Sequence, residues 1–513
     1  MKEKPEINSS PKRNIDIESL RRGGLVKLKE KDMFSVWVRA VCCNMDARKL
    51  KIVADIAEKY GRGIILFSTR QFPIIPFVHF DNIEIVQQKL KEINLMLDRC
   101  GARVRNADVC YDSNICPFAV TNPITLAERF DEFWQQDIGG YKIKLSVVGC
   151  SKQCTSPRVL SDIGFVGVGD GIYDVYLGGR LGLKPSVGIK VAENLCEEKC
   201  VLIVKNFIKL IREKGKSGDR SADLVERLGE DFVKKELNKN LYEKFEYKKI
   251  NCETKLDNKI SSEKVIVRIK ATCGEVTSKQ LRVIAELAEQ YGLGFVHFGL
   301  RGSPEIPGVD KKDLTKIKTE LEKYNLELIE NGIDNLQCCF GEYCTNGIID
   351  AQGLLKKVNE LIKRIKFNGK EIKISASGCP NSCAISHLSD IGFIGVIEPV
   401  VDIEKCTGCE ICARACKVDA IDIVLNNNGE KKAKINFSKC KYCMDCINSC
   451  PFDAIVGGRR GISVLVGGEG GYSPFDIRGE NTTLGKIVAE FLSEEETLKL
   501  TENLLIKSLK DIE

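Results

Sequence analysis

Gly149-Cys150-Ser151-Lys152-Gln153-Cys154 and, 229 residues later, Gly378-Cys379-Pro380-Asn381-Ser382-Cys383 decide how this chain is organised. Each G-C-x3-C turn closes a short alternating run, KIKLSVVGC at 142–150 and EIKISASGC at 371–379, which places the turn at a strand end. The same phrase follows both, SDIGFVGV at 161–168 and SDIGFIGV at 389–396. A second cysteine pair precedes each, Cys110-x5-Cys116 and Cys338-x5-Cys344, so each copy offers four thiols. Cys339 adjoins Cys338 and stands two residues before Gly341; the five-residue gap favours Cys338, and the neighbour stays open as the alternative.

The repeat extends outward. VWVRAVCCN at 36–44 answers VIVRIKATC at 265–273, and both lead into a helix of 3.6-residue periodicity ending at Gly61 or Gly292. A β-rich run then carries Arg70 or Arg301. Residues 212–262 are rich in Lys, Glu, Asn and Asp and form the seam, with one helix predicted over LVERLGEDFVKKEL at 224–237. The second copy alone is interrupted after SDIGFIGV, by a segment at 401–456. The predicted fold is α+β with two pseudo-symmetric halves. Its divisions are 20–100 and 263–332 for small strand-helix-strand modules, 101–245 and 333–400 with 457–513 for larger cysteine-bearing modules, and 401–456 for the insertion.

A chain of 513 residues exceeds one core, and 43% hydrophobic with 29% charged residues describes a globular protein. Its 78 basic and 72 acidic residues are interspersed, which argues against nucleic acid or a membrane surface as partner. The polar start MKEKPEINSSPKRN lacks a signal-peptide core, and no stretch approaches the ~20 apolar residues of a membrane span, so a cytoplasmic setting is expected. Twenty-four cysteines read as metal or cluster ligands kept reduced.

In the insertion, Cys406, Cys409, Cys412 and Cys416 form C-x2-C-x2-C-x3-C, and Cys440, Cys443, Cys446 and Cys450 repeat it with Pro451 behind. This is the spacing of two-cluster bacterial ferredoxins, in which the fourth cysteine of each run serves the other [4Fe-4S] cluster. The predicted sets are therefore Cys406, Cys409, Cys412 and Cys450, and Cys440, Cys443, Cys446 and Cys416. Lys417 replaces the usual proline after the first run. Zinc modules rarely use so tight a run of four cysteines.

With its repeated C-x5-C and C-x3-C pairs the sequence resembles the sulfite and nitrite reductases that join a [4Fe-4S] cluster to sirohaem, over nearly its whole length. The resemblance implies sulfite/nitrite reductase halves, each a ferredoxin-like module plus a sirohaem-binding module. It makes Cys383 and its repeat mate Cys154 the candidate thiolates bridging cluster and haem iron. The inserted segment looks like that of dissimilatory and anaerobic sulfite reductases, and two halves in one chain look like the assimilatory enzymes. By the same resemblance, Arg39, Arg105, Lys142 and Lys144 of the first half are the substrate-anion donors, facing a centre held by Cys338, Cys344, Cys379 and Cys383 of the second. Arg70 and Arg301 resemble the partners of the tetrapyrrole carboxylates, a role suited to a bidentate guanidinium.

The mirror site keeps Arg268 and Lys373, but Arg105 faces Ile333 or Asp334 and Lys142 faces Glu371. One working centre is expected, with Cys110, Cys116, Cys150 and Cys154 holding at most a non-catalytic cluster and sirohaem. The expected function is six-electron reduction of sulfite to sulfide, with nitrite to ammonia the alternative and a non-catalytic electron-transfer subunit a further one. No nucleotide or flavin fingerprint appears, so an external ferredoxin or reductase subunit is expected to supply electrons. Cys42, Cys43, Cys196 and Cys200 read as packing, Cys100, Cys252 and Cys273 show no pattern, and His387 reads as structural in preference to a proton donor. His79 and His297 carry no signal. The glycine runs at 177–182 and 466–471 read as turns or as backbone packed on a flat macrocycle.

Overall fold

The computed structural model describes residues 16–134, 136, 138–241, 263–329, 336–365, 372–470 and 482–510. Ile333, Asp334, Glu371 and Cys252 lie outside the described residues.

The two small modules share one core by exchanging strands. Leu25–Lys27, Met33–Trp37, Pro73–His79 and Ile64–Phe67 form an antiparallel sheet whose fifth strand, Glu275–Thr277, comes from the other half. Reciprocally, Asn44–Asp46 completes the sheet of Glu327–Leu328, Lys264–Lys270, Pro304–Asp310 and Phe295–Phe298. The crossings are made by two tight kinks: Cys42 and Cys43 have φ of 50° and 60°, and their counterparts Cys273 and Gly274 have 64° and 67°. A Cβ at Gly274 would stand 2.4 Å from the Phe67 carbonyl oxygen, so that kink needs glycine. Cys42, Cys43 and Cys273 are buried here, in agreement with the packing reading of the first two.

Helices Ala47–Tyr60 and Ser278–Tyr291 pack together across the pseudo-two-fold, burying Leu50, Val53, Ala54 and Ala57 against Leu281, Ile284, Ala285 and Ala288 in one continuous core. Phe67 and Phe298 stack there at 5.4 Å. Truncating either to Ala would cost about 3–5 kcal/mol by opening a cavity between the halves.

Each larger module is a five-stranded mixed sheet. Asp108–Val109, Leu145–Val148 and Ile163–Gly169 run parallel, followed by antiparallel Ile172–Leu177 and Ile189–Cys196. The second sheet repeats this with Gln337–Cys338, Ile374–Ser377, Ile391–Val401, Ile455–Val466 and Lys486–Leu492. Where the first copy turns tightly from Gly169 to Ile172, the second carries its long strands out to the Val401–Ile455 pair and mounts the inserted segment on them. That segment has its own small core, a hairpin Ile421–Leu425 with Lys431–Ile435, and two short helices, Ile411–Ala415 and Asp445–Ser449. The helix predicted over 224–237 is two, Ser221–Leu228 and Glu230–Leu237, broken where Gly229 takes a φ of 84°. Among the described residues no helix is long and apolar enough to cross a membrane.

Candidate functional site

The G-C-x3-C turns follow strands Leu145–Val148 and Ile374–Ser377 directly, as the alternating runs predict. Both turns use left-handed residues at matching places, Gln153 and Ser156 in the first, Ser382 and Ile385 in the second. The backbone they present donates to sulfur: Gly149 N–H reaches Cys110 Sγ at 3.2 Å, and Gly378 N–H reaches Cys339 Sγ at 3.1 Å, with Gly341 N–H at 3.4 Å. Cys339, not Cys338, is therefore the counterpart of Cys110.

This corrects the choice made on spacing. Val109 pairs with Val147 and Cys338 with Ala376, so Cys338 repeats Val109. Successive residues of a strand face opposite ways, and Cys338 turns into the apolar core, its thiol donating to the Cys273 carbonyl at 3.5 Å. Cys339 takes its place beside Cys344, Cys379 and Cys383: burial raises its thiol to about 12, and the neighbouring Cys383 and Cys344 add to the rise. In the first half Cys110, Cys116, Cys150 and Cys154 come together likewise, burial and then Cys154 and Cys116 raising Cys110. Such shifts belong to protonated thiols kept from water; a bound metal would take the thiolates outright.

Cys383 opens onto a cleft between the halves. Its side chain is exposed to the cleft although protein surrounds it deeply. Thr69 Oγ1 from the first half donates to the Cys383 carbonyl at 2.9 Å. Burial raises the Cys383 thiol, Cys344 adds to this, and Lys144 and Lys142 across the cleft oppose it. Lys142 is held well below the usual lysine range by burial, then by Lys144 and Arg105. Burial, with Arg70 and Arg220, brings Lys144 down to about 7. An acidic occupant would remove the repulsion among these cations. Two buried guanidinium nitrogens on this side, Nε of Arg70 and Nε of Arg105, have no hydrogen-bond partner among the described residues, and are donors an acidic group would satisfy. The residues present thus fit an anionic macrocycle bearing a small anion.

Lys142 and Lys144 act on Cys383 and Arg105 acts on Lys142, whereas Arg39 is taken up by other partners. Arg39 pairs with Asp131, donates to Asn106 Oδ1 at 3.2 Å and lies 3.7 Å over the Trp134 ring. Arg70 pairs with buried Asp108 at 2.6 Å and donates to the Asn106 carbonyl at 2.9 Å. Arg301 donates to Ser389 Oγ at 3.3 Å and to the carbonyls of Leu388 and Gly470. Cys100, without a pattern in the sequence, lies in this cleft: Arg105 Nη2 donates to its sulfur at 3.4 Å. Burial alone would raise its thiol, but Arg105, Arg21 and Lys142 outweigh burial and bring it to about 7. Its position five residues before Arg105 was the only signal in the sequence.

The mirror site is different in kind. Lys373 repeats Lys144, each backbone N–H donating at 2.8 Å to an aspartate, Asp390 or Asp162. Arg268, however, is not the mate of Arg39. Trp37 pairs with Ile74 and Arg268 with Glu305, so Arg268 repeats Trp37 and Arg39 repeats as Lys270, which meets Glu327 at 3.5 Å. Glu305 thus stands where the first half has Ile74. It approaches Arg268 at 3.5 Å and accepts from Tyr111 and, at 2.9 Å, from Ser303. Burial and the other thiols raise Cys154; Lys373 opposes this and Glu305 adds to it.

The glycine runs pack against the cysteine turns of the opposite half. Gly182 brings its α-carbon face to the Asn381 carbonyl, 3.4 Å from where a Cβ would stand, and Gly470 lies likewise 3.1 Å from Ser156 Oγ. His387 bonds Ser382 Oγ at 2.9 Å, and burial lowers its imidazole to about 4. Cys200 is fully buried on helix Glu197–Lys214, and Cys196 stands at the N-cap position of that helix without a side-chain capping bond.

In the insertion a cavity is lined by Cys406, Cys409, Cys412 and Cys450 together, the crossed set read from the spacing. Burial raises Cys446 to about 12, and the thiols that add to this are Cys443, Cys440 and Cys416, the other crossed set.

Residues 100–245 and 330–506 match the nitrite and sulphite reductase 4Fe-4S domain, and 26–93 and 259–324 match the nitrite/sulfite reductase ferredoxin-like half domain. The chain belongs to the nitrite and sulfite reductase family. It is 33% identical over 161 residues to the coenzyme F420-dependent sulfite reductase of Methanocaldococcus jannaschii, covering 31% of this chain and 26% of that protein. It is 21% identical over 406 residues to the assimilatory ferredoxin-dependent nitrite reductase of Haloferax mediterranei, 69% of each chain. The match spans from about a quarter to less than two thirds of the first curated relatives' lengths. The fold is that of Mycobacterium tuberculosis NirA, with a TM-score of 0.69 over 96% of this chain and 86% of that one at 16% identity.

Proposed function

We propose that this chain reduces sulfite to sulfide with six electrons at a sirohaem-linked [4Fe-4S] centre between its halves. The centre is held by Cys339, Cys344, Cys379 and Cys383. The observation that carries this is the asymmetry of the two clefts: Cys383 faces Lys142 and Lys144, and Cys154 faces Lys373 and a carboxylate, Glu305. When bound, sirohaem would supply a redox-active iron for this reduction.

The protein's own residues do the rest. Cys383 would hold the cluster on the side turned to the cleft, and Lys142, Lys144 and Arg105 would hold a small oxyanion where water is scarce and their charge counts most. Lys144, whose proton burial and the cations Arg70 and Arg220 disfavour until an anionic occupant offsets them, would be placed to hold and deliver protons. Arg39, held by Asp131 and Trp134, lines the wall and holds Asn106, itself bonded to Arg70. The first-half thiols would hold a cluster with no substrate role, and the insertion two more, fed by an external electron-carrier protein.

Nitrite to ammonia is the second reading, favoured by the similarity to the Haloferax enzyme over 69% of the chain. Anaerobically purified protein should show a sirohaem spectrum and turn over sulfite, faster than nitrite, with reduced viologen. Clusters without an extractable tetrapyrrole would refute the proposal; a spectrum without turnover of either anion would favour an electron-transfer subunit.

A further inference from the structure

The two cysteine runs of the insertion have the same spacing, so the sequence does not say which set stands nearer the main site. The fold is not symmetric about them. Segment 440–446 lies against the second half: the Tyr442 carbonyl accepts from Ile397 N–H at 3.2 Å, and its ring meets Phe491 edge-on at 4.8 Å. Lys441 acts on His387, four residues beyond Cys383. Met444 and Ile447 pack against the apolar cluster of Ile348, Cys379 and Ile397, so a residue between two ligands of one set joins the cluster that contains a ligand of the main site.

The other set faces away. Its cavity is closed by Ile423 and Ala433 of the hairpin, and Lys432 Nζ caps the Cys406 carbonyl at 2.9 Å. Phe452 on its rim is 48% exposed.

We propose that the insertion conducts in one fixed order, inward from the set Cys406, Cys409, Cys412 and Cys450, through the set Cys416, Cys440, Cys443 and Cys446, and out across Met444 to Cys379. This deepens the functional reading above and rests on it. Each passage moves one electron: a low-potential carrier protein is oxidised by one as the outer set accepts it, the outer set is oxidised as the inner set is reduced, the inner set is oxidised in turn as the main-site centre takes the electron, and six passages serve one anion. Met444 is a positioning residue, fixed by its left-handed φ of 70° at the start of helix Asp445–Ser449.

Serine for a ligand cysteine alters the magnetic signature of one cluster and so marks it. Cys409→Ser and Cys443→Ser would be prepared in the full chain, reduced with dithionite until the insertion clusters are paramagnetic, and their spin relaxation compared by electron paramagnetic resonance. The cluster marked by Cys443→Ser is expected to relax faster, through the nearby paramagnetic haem iron. If a variant loses its cluster, the surviving signal answers instead: slow after loss at Cys443, fast after loss at Cys409. Met444→Ala, which retains every ligand, should slow the arrival of electrons at the haem in stopped-flow spectra while both insertion signals persist. Fast relaxation of the Cys409-marked cluster, with haem and clusters present, overturns the order alone. An unchanged arrival rate in Met444→Ala overturns the route through that residue. Protein lacking tetrapyrrole overturns the functional reading and the order with it.

Discussion

The two cysteine-bearing halves share strand order, turn geometry and even the Lys144/Asp162 and Lys373/Asp390 hydrogen bonds, yet one cleft gathers Lys142, Lys144 and Arg105 and the other a carboxylate. The backbone scaffold is the same in both copies, and the side chains that face the two thiol sets differ. The scaffold depends on backbone geometry repeated in both copies, and the wall on a few side chains whose exchange costs the fold little.

The largest effect expected is at the thiols. Cys383→Ser should lower sulfite turnover at least about 10³-fold, as loss of a residue in the reacting machinery does. Cys154→Ser should keep most of it; equal losses in steady-state assays would end the asymmetry. Next, Lys142→Met should cost about 10²-fold in kcat/KM, the scale of one lost anion donor. Lys373→Met should leave kcat/KM in place, and a loss there would make both clefts functional.

Glu305→Gln sharpens the comparison on the stability side. It leaves Arg268 short of its carboxylate partner and should lower stability by about 1–3 kcal/mol in thermal melts without lowering turnover. The pH dependence separates the clefts too. Lys144 is depressed to about 7 by burial and its cationic neighbours, whereas an unfolded lysine titrates near 10.4. Between roughly pH 7 and 10.4 the unfolded chain binds a proton the folded anion-free protein has released, so stability of the cofactor-free protein should rise with pH across that window. Anion affinity should fall as pH passes 7. Lys144→Met should flatten both slopes; melts and anion titrations at pH 6 and 8.5 check them.

Smallest of all, Cys338→Val, which installs the residue of its counterpart Val109, should leave iron content unchanged and shift stability by less than about 1.5 kcal/mol. Cys339→Val should lose the cluster. Iron loss in Cys338→Val with iron retained in Cys339→Val would restore Cys338.

The repeat, the strand-end turns and the crossed thiol sets were legible because they rest on spacing, and spacing is a property of the chain. Cys338 was misplaced because a five-residue count matched the first copy, whereas the strand register assigns Cys339 to the thiol side. Arg268 was matched to Arg39 by local likeness of VWVRA to VIVRI, but pairing with Pro304–Asp310 shifts the correspondence by two residues. Cys100 stayed hidden because its character comes from Arg105, Arg21 and Lys142, whose convergence no local pattern encodes.

By itself the sequence determined that there are two halves, which turns bear thiols, and that a cysteine-rich unit interrupts the second, since periodicity and ligand spacing act over short stretches of chain. Only the tertiary structure decided which of two adjacent cysteines joins the site, that Glu305 stands beside Arg268 in the mirror cleft, and which thiol set of the insertion lies nearer Cys379. Those outcomes depend on strand exchange and on packing between residues hundreds of positions apart, where charge and burial act through space.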